Sequence, residues 1–197
     1  MHQLKVSSRT FLPHLACEIE VNLRAGELRV LCGENGIGKS ALLHKLFENY
    51  KSKKCIILGD QKPLEFFFDR NLSAYKTILL SGSATVNKDF FEKYWEASGL
   101  QEKEGRLLSQ LSGGESQLLK LISLCSAGGE IYFLDEPGQY LDREKRKLAN
   151  DLLEDLKASG KSILVIEHDY SWLSPGTQVC ELKIVNDTLR EGKAWTI

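Results

Sequence analysis

The 197-residue chain carries no excess of charge of either sign, because 26 Lys and Arg stand against 27 Asp and Glu. A formal net charge of −1 provides no global basic field to collect nucleic acid, so no direct nucleic-acid binding is expected. The small basic cluster Lys51, Lys53 and Lys54 reads as a solvated turn. Long apolar runs are also missing. No stretch approaches the ~20 apolar residues that cross a bilayer, and the opening MHQLKVSSR lacks the apolar segment of a signal peptide. The expected location is the cytoplasm, with docking on a membrane protein still open. Paired cysteines are absent too. Cys17, Cys32, Cys55, Cys125 and Cys180 are scattered, odd in number and never spaced as CxxC. That argues against a disulfide framework or a zinc site and leaves them as small core hydrophobes. Repeats and low-complexity segments are lacking as well.

What is present is a soluble globular composition, 42% apolar and 27% charged, with length for one sizeable core. Residues 4–7 and 17–23 alternate as strands do, and Ala25-Gly26-Glu27 reads as a turn. LRVLC (28–32), CIIL (55–58), residues 130–134 and ILVI (163–166) are short apolar strand candidates, as is TILL (77–80). Helical spacing appears at Leu42, Leu43, Leu46 and Phe47, over residues 86–98, and over 143–156 ending near Gly160. Strands alternating with helices predict an α/β fold with a mostly parallel sheet. The tail (179–195) reads as short strands with turns at Asn186-Asp187 and Gly192. The aromatics Phe90, Phe91, Tyr94 and Trp95 are read as the packing of a small helical subdomain, with a partner-facing stripe as the alternative.

One segment carries specific chemistry. GENGIGKS (33–40) fits the pattern G-x-x-x-x-G-K-[ST], with an apolar strand before it and an amphipathic helix after it. Gly33, Gly36 and Gly38 let the backbone aim N–H groups at phosphate oxygens, and the helix N-terminus adds partial positive charge. Asn35 lies in the same loop and is counted with the cradle. Lys39 is placed to reach the β and γ phosphates, and the Ser40 hydroxyl to ligate Mg²⁺.

Two further strand ends supply the remaining groups. IYFLDE (131–136) ends on adjacent carboxylates: Asp135 as a metal ligand, Glu136 to orient or deprotonate the attacking water. ILVIEHD (163–169) delivers His168 to the same sheet edge, where open α/β folds hold ligands. Gln61 follows CIIL-Gly59-Asp60, and its amide can touch both metal and water.

With GENGIGKS, Gln61, LSGGE (111–115), IYFLDE, Asp142 in PGQYLD, and His168 in that order, the chain resembles an ATP-binding-cassette (ABC) ATPase. The resemblance spans most of the chain and suits a compact single-domain transporter ATP-binding subunit. It implies a P-loop NTPase fold of ABC type: a mostly parallel core sheet, a small antiparallel β-subdomain, and a helical subdomain inserted over roughly residues 64–125. It further implies ATP and Mg²⁺ as ligands, and two domains packed head to tail. Ser112, Gly113 and Gly114 of one copy would then cap the γ phosphate held by the other, with a helix starting near Glu115. Phe11, fifteen residues before Gly26, lies near the family's adenine-stacking aromatic; a core phenylalanine is the alternative.

Departures are visible. Ala41 stands where the family usually has a hydroxyl residue on the α phosphate, which removes a donor worth ~1 kcal/mol. Tyr140 would bulk up the dimer seam, the arginine usual in the helix after LSGGE is missing, and the interval from Lys39 to Gln61 is short. The expected role is the ATPase subunit of a membrane transporter, at the inner membrane face through a permease. Its cleft beside Gln61 would take a permease segment, with Phe66, Phe67 and Phe68 either lining that cleft or filling core. A soluble ATPase of ribosome, nucleic-acid or complex assembly is the alternative.

Overall fold

The computed structural model describes residues 2–50, 54–58, 70–82 and 86–197. Eight strands are present among them: β1 (His2–Leu12), β2 (Leu15–Leu23), β3 (Leu28–Cys32), β4 (Cys55–Leu58), β5 (Ile131–Asp135), β6 (Ser162–Ile166), β7 (Gln178–Val185) and β8 (Thr188–Thr196). The helices are α1 (Lys39–Tyr50), α2 (Leu72–Gly82), α3 (Lys88–Ala97), α4 (Gly113–Cys125) and α5 (Arg143–Ala158). All eight strands join one sheet in the order β1-β2-β8-β7-β3-β6-β5-β4. From β7 through β3, β6 and β5 to β4 every pairing is parallel. Two antiparallel hairpins, β1-β2 and β7-β8, complete the other half, and β2 meets β8 in parallel.

The central strands read as unbroken apolar runs because both faces of the sheet are covered. On β5, Ile131 and Phe133 face α1, while Tyr132 and Leu134 face the side of α4 and α5. Leu42, Leu43 and Leu46 of α1 are fully buried on the first side, each contributing about 1.5–3 kcal/mol before entropy is counted. Leu152, Leu153 and Leu156 of α5 and Leu118 and Ile122 of α4 fill the second side. The regular elements described between β4 and β5 are all helical. In α3, Phe91, Tyr94 and Trp95 are buried, so its aromatic stripe is core packing; Phe90 packs against it half-buried.

Two local readings are corrected. Thr77–Leu80 is the middle of α2 and not a strand. Leu72, Tyr75 and Leu79 recur at helical spacing against the core, and Asn71 caps the start by accepting from Ala74 N–H at 2.8 Å. A four-residue window is too short to reveal that period. Gly192 is not a turn but lies inside β8 at a register shift opposite Cys180 and Leu182. The hairpin turn is Asn186-Asp187 alone, where both residues have positive φ, as a two-residue loop between twisted strands requires. Cys17, Cys32, Cys125 and Cys180 are buried thiols, and Cys55 is half-buried with its thiol donating to the Tyr50 carbonyl at 3.0 Å. Among the described residues no helix is long and apolar enough to cross a membrane.

Candidate functional site

The parallel strands β3, β5 and β6 end on one edge of the sheet, and each end carries a predicted site segment. After β3 the chain runs through Gly33, Asn35, Gly36 and Gly38 into α1, whose first residues are Lys39, Ser40 and Ala41. Gly38 has φ +96°, and a Cβ there would lie 2.8 Å from Leu12 Cδ1 and 3.2 Å from Phe11 Cε1. The loop therefore turns tightly beneath the end of β1, and the half-buried Phe11 ring rests beside it. Lys39 is buried, and its ammonium donates to the carbonyls of Gly33 at 3.0 Å and Glu34 at 2.8 Å. Burial pulls the Lys39 pKa down, while Glu136 and Asp135 pull it back up.

After β5 the chain turns sharply. Glu136 has φ +45°, a left-handed conformation costing about 1–3 kcal/mol for a non-glycine residue. Its N–H donates to the carbonyl of Ile166 at 2.9 Å, tying the turn to the end of β6. His168, just past β6, brings Nε2 to 3.5 Å from Glu136 Oε1. Both side chains are partly exposed, at 40% and 35%. Ser40, Asp135 and Glu136 line one cavity of about 350 Å³ together with Gly113, Ser116 and Lys120. Hydroxyl and carboxylate oxygens on a shared cavity suit Mg²⁺, which takes oxygen ligands and keeps several waters. Gln61 and Phe66–Phe68 lie outside the described residues.

The LSGGE segment (111–115) makes contacts within its own chain. Ser112 is the N-cap of α4; its Oγ accepts from Glu115 N–H at 3.3 Å, and Glu115 Oε2 accepts from Ser112 N–H at 2.9 Å. This reciprocal capping box is readable as S-x-x-E, a local signal that motif recognition passed over. Lys103 forms an ion pair with Glu115 and holds its carboxyl below the usual range. A Cβ on Gly114 would lie 2.7 Å from the carbonyl oxygen of Tyr140. Gly114 thus admits the backbone of the 137–142 loop, and Tyr140 covers Gly113 with its ring while staying 71% exposed. Asp142 is the N-cap of α5, accepting from Lys145 N–H and pairing with the Lys145 ammonium.

Two buried groups escaped sequence reasoning. Gln117 of α4 donates to the carbonyl of Glu136 at 3.3 Å. Glu167 is buried between β6 and the 137–142 loop, and burial pushes its carboxyl up. A carboxylate directly at the end of the apolar run ILVI was the available signal for Glu167.

The sequence model described as ABC transporter matches residues 17–139, more than half of the chain. The chain belongs to the ABC transporter family. This ABC cassette is 28% identical over 178 residues to the manganese transport system ATP-binding protein MntB of Listeria innocua, covering 78% of this chain and 73% of that protein. It is 29% identical over 184 residues to translation initiation factor rli1 of Schizosaccharomyces pombe, covering 76% of this chain and 31% of that protein. The cassette spans about a third of the length of the first curated relatives it matches. A solved ATP-binding subunit of an ABC transporter superposes with a TM-score of 0.74 at 16% identity, covering 99% of this chain and 89% of the other. That likeness establishes the ABC ATPase fold.

Proposed function

We propose that the cassette binds MgATP and hydrolyses it as one half of a head-to-tail pair, as the nucleotide-binding subunit of a membrane transporter. The observation that carries this reading is the meeting of three strand ends on one edge: the Lys39 loop, Glu136, and His168 at 3.5 Å from it. Phe11 stacks on the adenine from beside Gly38. The amides of Gly33–Ser40, with Asn35 and the first turn at Ala41, hold the phosphates. Lys39 exchanges its carbonyl partners for the β and γ phosphates. Ser40, Asp135 and Gln61 hold Mg²⁺, which when bound neutralises charge on those phosphates.

Glu136 accepts a proton from the attacking water while the water oxygen bonds to the γ phosphorus. The bond to the bridging oxygen breaks, and ADP leaves with the electron pair. His168 holds Glu136 in place. Ser112, Gly113 and Gly114 of a second copy cap the γ phosphate, and Asp142 holds the loop along the seam. Closure excludes water and assembles the site. The permease seats the subunit at the inner membrane face. An apolar recess of about 240 Å³ between α2 and α4, lined by Tyr75, Ile78, Leu79 and Leu124, provides a surface for it.

The likeness to rli1 supports a second reading, a soluble ATPase of ribosome or complex assembly. Glu136→Gln loaded with MgATP distinguishes them. The first reading expects a dimer by sedimentation and a polytopic membrane protein in pull-downs from gently solubilised membranes. Ribosome sedimentation without membrane association favours the second. A variant that binds ATP and stays monomeric with partner present would sink the paired site.

A further inference from the structure

The carboxylate of Glu167 ends in two different loops. Oε2 accepts from Gly138 N–H at 3.0 Å, and Oε1 accepts from His168 N–H at 3.1 Å. Gly138 is two residues past Glu136, and His168 is the residue whose ring meets the Glu136 carboxylate. Space is arranged around this link. A Cβ on Gly138 would lie 2.9 Å from Glu167 Oε2 and 2.7 Å from Trp172 Nε1, so only glycine lets the carboxylate close on the backbone there. The Trp172 indole packs against the same glycine, and Glu167 is 6% exposed.

We infer that Glu167 is a positioning residue that sets the register of Glu136 against His168 by strapping their two loops together. Buried behind the two loops, it acts through the groups it holds. Both of its acceptors face N–H donors, so a carboxylate satisfies both ends and an amide satisfies one. Left without an acceptor, a buried N–H is costly, and its loop relaxes away from the other. A buried acid placed only to fill core would leave the Glu136–His168 geometry unchanged when replaced by its isostere.

The inference rests on the ATPase reading for its kinetic test and has a second test that does not. In Glu167→Gln the expected kcat is about tenfold lower or less, with KM for MgATP within twofold of the parent chain. Gly138→Ala, which pushes into Glu167 and Trp172, should show the same split and serves if the first variant folds poorly. In nucleotide-free protein, amide exchange by NMR should show Gly138 and His168 losing protection together, and the His168 ring resonances should move. If the parent chain does not hydrolyse ATP, the functional reading fails while the NMR measurement still judges the strap. Parent-like kcat in both variants, KM rising in step with the loss of kcat, or unchanged Gly138 and His168 signals would overturn it.

Discussion

The imidazole Nε2 of His168 sits 3.5 Å from Oε1 of Glu136, across the adjacent strand ends of β5 and β6. The pair is held from both sides. Glu136 N–H bonds to Ile166 O, and Glu167 bonds to the loops carrying both residues. A water on the cavity side of Glu136 would meet a carboxylate whose orientation is already set.

Replacing the proposed base tests that arrangement directly. Glu136→Gln should lower kcat by about 10²–10⁴-fold, the usual worth of a positioned general base. His168→Ala should lower kcat in the same direction, with nucleotide affinity retained in both. Steady-state hydrolysis beside fluorescent-nucleotide titration separates the two quantities. Loss of affinity in His168→Ala would assign the histidine to binding.

Lys39 is the one whose loss should appear as affinity. Its ammonium is buried against two carbonyls and poised over the loop. Removing a charge-assisted contact worth about 1.5–3 kcal/mol should weaken ATP binding roughly 10- to 100-fold in Lys39→Ala. Calorimetric titration reads this; unchanged affinity would place the phosphates elsewhere.

Removing the metal should act through Ser40 and Asp135. Chelation by EDTA should abolish hydrolysis, and added Mg²⁺ should restore it. Asp135→Asn should raise the Mg²⁺ concentration needed for half-maximal rate. A rate independent of Mg²⁺ would contradict the assigned ligands.

Gly114→Ala should destabilise the fold even without nucleotide. Its Cβ would press on the Tyr140 carbonyl, which is backbone and cannot rotate aside. Overpacking of this kind costs about 1–3 kcal/mol, measurable by urea unfolding. Gly113→Ala, which meets the Tyr140 side chain at an ordinary 3.6 Å, should cost much less. Equal effects would mean that the loop does not approach Gly114 in solution.

The Lys103–Glu115 pair predicts a pH dependence of stability. The Glu115 carboxyl is held below its ordinary value of 4.5, first by the Lys103 hydrogen bond. A group lowered in the folded state contributes stability above its unfolded value and loses it as pH falls through the folded one. Glu115→Gln keeps an acceptor for Ser112 N–H and loses the charge. Parent and variant should therefore differ in unfolding midpoint above about pH 4.5 and converge below it. A constant difference across that range would remove Glu115 as the source.

Much of the candidate site was legible because the chemistry proposed for it is local. A phosphate cradle is a contiguous run of backbone amides with glycines where the turn needs them, so GENGIGKS shows itself in eight residues. Asp135, Glu136 and His168 were legible because an apolar strand ending on polar groups points to the ligand edge of an α/β sheet. Thr77–Leu80 misled because a short apolar run has no visible period. Gly192 misled because a glycine in a bulge looks like a glycine in a turn. The Glu115 cap was legible in principle, since Ser112 and Glu115 are three apart.

The order of residues alone determined the glycine-rich loop, the acidic strand end and membership of the ABC transporter family, because each rests on neighbours along the chain. Tertiary structure decided that β3, β6 and β5 lie side by side, that the Tyr140 carbonyl packs against the second glycine of LSGGE, and that Glu167 clasps Gly138. Those are contacts between residues far apart in the chain. They exist because burying both faces of one sheet brings its strand ends together.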